Sequence, residues 1–78
     1  MNVHKGDYFL YHRGTGHLVD LVVAEEDGTI SPHRGVEVRS LREFLPSKFS
    51  ARVVTWRAYS PSTYTPISPE EAVAYLMS

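Results

Sequence analysis

A chain of 78 residues has room for one domain, 1–78, near the size at which a single hydrophobic core becomes marginal. Without cysteine it has neither disulfide staples nor thiolate chemistry, and its longest aliphatic run, Leu21-Val22-Val23-Ala24, is far too short to cross a bilayer. The net charge of −1 conceals an acidic first part (Asp7, Asp20, Glu25, Glu26, Asp27 against Lys5, Arg13) and a basic middle (Arg34, Arg39, Arg42, Lys48, Arg52, Arg57 against Glu37, Glu43). Such polarity either steers a charged partner or neutralises itself within the domain.

Gly6-Asp7 opens a first strand, Tyr8 to His12, rich in the aromatic residues that favour sheets, and Arg13-Gly14-Thr15-Gly16 supplies a turn. The second strand runs from His17 to Glu25. Val19, Leu21 and Val23 share one face and Leu18, Asp20 and Val22 the other, the mark of a central strand covered on both sides. Glu26-Asp27-Gly28-Thr29 reads as a tight hairpin, its glycine supplying positive φ, that leads into the arm ending at Leu41. In that arm Val36 and Val38 point inward and Glu37 and Arg39 outward, with Pro32 marking a break or an edge.

Ser40 with Glu43 has the form of a capping box, predicting a short helix over about 41–45 that Pro46 stops. Ala51 to Arg57 is the next strand, and residues 60–66 have the composition of an extended turn. Ser68, Pro69 and Glu71 announce a C-terminal helix over about 69–77, with Ile67 stapled to Ala72 and a face of Ala72, Val73 and Leu76 over the sheet. The predicted fold is α+β: a small four-stranded, mainly antiparallel sheet with these two helices.

Chemistry is sparse. His4, His12, His17 and His33 have spacings of 8, 5 and 16, which match no metal-ligand pattern, although His12 and His17 flank one turn with Asp7 or Asp20 nearby in sequence. No phosphate loop or nucleophile elbow is present, and Glu25-Glu26 and Glu70-Glu71 suit a turn and a helix N-terminus. No cofactor or metal is implied. Two clusters remain. Arg42, Lys48, Arg52 and Arg57 interleave with Phe44, Phe49, Trp56 and Tyr59, the pattern of a single-stranded nucleic-acid binder. Tyr59 and Tyr64, set among prolines and serines after Trp56, suit either a protein interface or a thin core.

The series Gly6-Asp7-Tyr8-Phe9-Leu10-Tyr11, His17 to Val23, Gly35-Val36-Glu37-Val38-Arg39, Ser40 to Leu45, Ala51 to Arg57 and Ser68 to Ala72 occurs in a suggestive order. It resembles the first half of the circularly permuted papain-like hydrolases, which include lecithin–retinol acyltransferase-like enzymes and bacterial cell-wall amidases. The resemblance implies that His17 matches the catalytic histidine, with Asp7 or Tyr11 within reach. The family's nucleophilic cysteine has no counterpart here, so what is implied is a non-catalytic relic site at His17 and Asp7, or one that borrows a nucleophile.

The leading expectation is a small, non-catalytic protein-binding module, of the type of a phage accessory or inhibitor protein, acting through Trp56, Tyr59 and Tyr64 flanked by Arg52 and Arg57. The absence of an apolar segment in Met1 to Asp7 and of cysteine points to a cytoplasmic protein without membrane contact. The alternatives are the cysteine-less hydrolase relative centred on His17 and a weak single-stranded nucleic-acid binder through residues 39–59. The latter needs Arg39, Arg42, Arg52 and Arg57 on one exposed face.

Overall fold

The computed structural model describes residues 1–13, 18–43 and 55–77. In chain order they form β1 (Asn2–Val3), β2 (Tyr8–Arg13), β3 (Leu18–Ala24), β4 (Gly28–Thr29), β5 (Val36–Glu43), β6 (Thr55–Ala58), a 3-10 turn (Pro61–Thr63), β7 (Tyr64–Ile67) and α1 (Pro69–Met77). β1 and β4 form a two-stranded ribbon. The other strands make a five-stranded antiparallel sheet in the order β6-β5-β3-β2-β7. This corrects the four-stranded sheet with two helices: the described residues are mostly strand, with one C-terminal helix.

β3 is the middle strand, and its alternation divides the core. On the inner face Val22 and Ala24 pack with Phe9, Val36, Val38, Ala58 and Tyr64, capped by Val3 and Ile30. On the outer face Leu21 packs with Leu10 and Ala72, joined by Tyr8, Leu41, Ile67 and Tyr75. Both faces of β3 are thus covered, as its apolar pattern requires. Among the described residues no helix is long and apolar enough to cross a membrane.

Three local readings are overturned. First, β3 and β5 are antiparallel neighbours, but no tight hairpin joins them at Asp27-Gly28. Gly28 pairs with Val3, the Asp27 carboxylate accepts the Lys5 N–H at 2.7 Å, and Ile30 drops into the core. Among the described residues the glycine with positive φ is Gly6 (φ 93°); Gly28 is needed because a Cβ there would come 2.9 Å from Val36 Cγ2.

Second, Ser40 caps no helix. It is 4 % exposed within β5, paired with Val22, and after a bulge Arg42 pairs with Leu21 and Glu43 with Asp20. A five-residue helix is too short to repay its nucleation, whereas continuing the strand adds ladder bonds and buries Leu41 on the outer cluster. Residues 44 and 45 of that predicted helix, and 51–54 of the following strand, lie outside the described residues.

Third, Tyr64–Ile67 is a strand that takes up the second half of the predicted turn. Pro66 cannot donate to a ladder, which restricts β7 to a sheet edge, and an edge is where it lies, beside β2. The C-terminal helix forms over the predicted range. Ser68 N–H donates to Glu71 Oε1 at 3.3 Å and Glu71 N–H to Ser68 Oγ at 3.1 Å, a reciprocal capping box. Its buried contact is Ala72, flanked by Tyr75 and Ile67, while Val73 and Leu76, assigned to the same face from sequence, are 52 % and 46 % exposed.

β6 and β7 are opposite edges of the five-stranded sheet, about 19 Å apart if it were flat. Yet Trp56 of β6 donates its Nε1–H to the Tyr64 hydroxyl of β7 at 2.7 Å. The sheet is therefore curled into an open barrel, and the connection through Tyr59 and the 3-10 turn crosses its seam.

Candidate functional site

Alternation places Trp56 and Ala58 of β6 on the inner face opposite Val38 and Val36, and Phe9 and Tyr11 of β2 on the same face. Tyr11 and Tyr64 are direct cross-strand partners, which is why their rings stack with centroids 5.0 Å apart and planes at 27°. Tyr11 also meets Trp56 at 5.4 Å and 51°, and Phe9 supports Tyr64 edge-on at 6.4 Å and 89°. These rings continue the core outward to the seam.

There they border a groove of about 250 Å³ lined by Tyr11, Trp56, Arg57, Tyr59, Ser60, Thr63 and Tyr64. Tyr64 forms its floor, 6 % exposed, while Tyr11 and Trp56 are half-buried and Tyr59 is 46 % exposed. Burial raises the Tyr64 phenol above its ordinary 10.0; the Trp56 hydrogen bond opposes that rise, and Tyr11 and the buried Asp20 add to it. With the indole N–H accepted by its oxygen, the Tyr64 hydroxyl still has its own proton to donate. Thr63 Oγ1 donates to Ser60 O at 2.7 Å and steadies the turn.

Of the residues expected at an interface, Trp56, Tyr59, Tyr64 and Arg57 converge on this groove; Arg52 lies outside the described residues. Tyr64 belongs to the core as well as to the groove. Arg57 is already engaged: its Nη1 donates to Glu26 Oε1 at 3.1 Å and to Gly35 O at 2.9 Å. Tyr11 was missed as an interface residue. Its alternation with Phe9 marks it as inward, but its place beside Trp56 follows only from the β2–β7 pairing.

Of the described basic residues of β5 and β6, Arg57 alone reaches the aromatic groove, and its charge is already paired. Arg39 and Arg57 alternate with Val38 and Trp56, and they pair with Glu25 at 2.6 Å and Glu26 at 3.1 Å. Arg39 of β5 and Arg57 of β6 are thus each paired with a carboxylate of the segment that follows β3. The nucleic-acid reading needs these cations free and grouped with Arg42 and Arg52. Arg52 and the Arg42 side chain lie outside the described residues.

His17 also lies outside them. Asp7 sits beside the Ala24 end of β3, its carbonyl accepting the Ala24 N–H at 2.9 Å, about 20 Å along the strand from Leu18. Its carboxylate accepts the His4 N–H at 2.9 Å. His12 and Asp20 face opposite sides of the sheet, since Asp20 opposes Tyr11 and His12 opposes Val19; His12 Nε2 is 2.9 Å from Thr65 Oγ1. Among the described residues no three His, Asp or Glu side chains gather as a metal site. Compared with protein-family models, curated proteins and solved structures, the chain matches none significantly.

Proposed function

We propose that this chain is a non-catalytic protein-binding module whose groove takes an extended, proline-containing segment of a partner. The observation that carries the reading is the continuous surface of Tyr11, Trp56, Tyr59 and Tyr64 at the barrel seam. A cation cage needs rings on opposite sides of an ammonium, each centroid within about 6 Å of it. Tyr11 already touches Tyr64 and Trp56 at 5.0 and 5.4 Å, which leaves no slot between them and favours a ligand lying across the rings. Among the described residues the only charged side chain in the lining, Arg57, is paired with Glu26, which suits a neutral occupant better than a phosphate chain. An extended proline-containing segment has no internal hydrogen bonds, presents flat apolar rings and loses little entropy on docking against aromatic walls.

The test is a titration with a ten-residue polyproline peptide, followed by fluorescence of Trp56, the one tryptophan. A saturable change is expected, with affinity about tenfold weaker in Tyr59→Ala. No change at millimolar peptide would overturn the reading.

A further inference from the structure

Tyr59, the most exposed ring of the groove, belongs to neither neighbouring strand: it follows β6 and precedes the 3-10 turn. Its ring instead lies over Gly35, where a Cβ would come 2.9 Å from Tyr59 Cε1 and closer still to Arg57 Cγ. Arg57 crosses the same glycine, with Nη1 on Gly35 O and on Glu26 Oε1. That carboxylate oxygen also accepts the Glu37 N–H at 3.1 Å. A single guanidinium therefore fastens β6 to both ends of the segment between β3 and β5.

We infer that Gly35, Arg57 and Glu26 are positioning residues that set the Tyr59 wall of the groove, so that the 25–35 segment determines which ligand the groove admits. The ligand part of this inference rests on the peptide-binding reading above. The pair contributes little to stability, because both side chains are nearly half exposed, 44 % and 45 %, and pairs so hydrated are weak. Its consequence is geometric. Alanine at residue 35 must push aside the root of the Arg57 side chain and a rigid ring edge, neither of which is the loose end of a flexible chain. Lysine at residue 57 lacks the planar fork that holds several acceptors in a fixed arrangement.

The experiment compares wild type with Gly35→Ala and Arg57→Lys by two readouts. Nuclear Overhauser contacts between the Tyr59 ring and the Gly35 α-protons, with Tyr59 ring shifts, report position without any ligand. Polyproline titration reports the groove. The expected result is displaced Tyr59 resonances in both variants, an unmoved Trp56 indole N–H, and about tenfold weaker binding for Gly35→Ala. Should Gly35→Ala not fold, Arg57→Lys, which leaves the backbone untouched, decides. Tyr59 resonances coinciding with wild type in the folded variants would overturn the inference, as would equal affinity in all three proteins. Displaced Tyr59 with no peptide binding to any of them, wild type included, supports the positioning and overturns the peptide reading instead.

Discussion

The inner face of the curled sheet is covered in two different ways. Under the β1–β4 ribbon it is sealed by aliphatic groups: Val3, Ile30 and Val36 are at most 2 % exposed, and the chain start is stitched down by Met1 N to Ile30 O at 3.0 Å and Ile30 N to Met1 O at 2.9 Å. At the seam it is covered by aromatic rings, two half-buried and one, Tyr59, nearly half exposed. Aliphatic side chains close a core completely but offer little to a partner. Tyrosine and tryptophan bury one edge in the core while presenting a rigid, amphipathic face, so the same residues hold the fold and form a contact surface. The stability cost of a substitution should therefore fall steadily from the ribbon to the outer wall of the seam.

The largest loss is expected at Ile30→Ala. A fully buried aliphatic side chain with no room for solvent is removed, lowering unfolding free energy in urea by about 2–5 kcal/mol. Tyr64→Phe comes next, at about 1–2 kcal/mol, because it leaves the Trp56 N–H without its acceptor in a partly buried position. This variant also carries a pH signature. Burial raises the folded phenol above 10.0, so above that pH the unfolded chain releases its proton more readily than the folded one. The stability tied to this group is complete below 10.0 and is lost as pH rises through the folded value. Alkaline denaturation profiles should show that component in wild type and lack it in Tyr64→Phe; an identical alkaline decline would contradict the burial.

The two Ser-x-x-Glu motifs show what was legible in the sequence and what was not. Ser68-Pro69-Glu70-Glu71 specifies a helix start because a proline occupies the first position of a nine-residue helix. Ser40-Leu41-Arg42-Glu43 has the same cap residues, but the β3–β5 ladder claims it and a bulge accommodates the extra residue. Local capping chemistry worth about 1 kcal/mol yields to tertiary pairing. Accordingly, Ser68→Ala should lower stability by about 1 kcal/mol and reduce helical circular dichroism. Ser40→Ala should leave helical circular dichroism unchanged.

The same distinction separates what period-2 alternation could reveal from what it could not. The doubly covered β3 and the inward Val36 and Val38 follow from alternation alone. β7 was hidden by Pro66, since a proline argues against a strand unless its edge position is known. One ring of the groove was hidden with it: Trp56, Tyr59 and Tyr64 stand out by composition, whereas Tyr11 joins them only through β7. Interleaved arginines and aromatics look like one surface in sequence, but adjacent residues of a strand face opposite sides, so the Arg57 guanidinium is turned onto Glu26 even though the residue still lines the groove beside Trp56.

Tyr59→Ala marks the small end of the series, with a stability change under about 0.5 kcal/mol, as befits a half-exposed residue outside both ladders. The most direct test of the aromatic seam as the working surface is backbone and indole chemical-shift mapping during a polyproline titration. The account predicts perturbations centred on the Trp56 indole N–H, Tyr11, Tyr59 and Ser60. Shifts centred instead on the exposed Val73, Leu76 and Met77 of α1, or absent throughout, would contradict it.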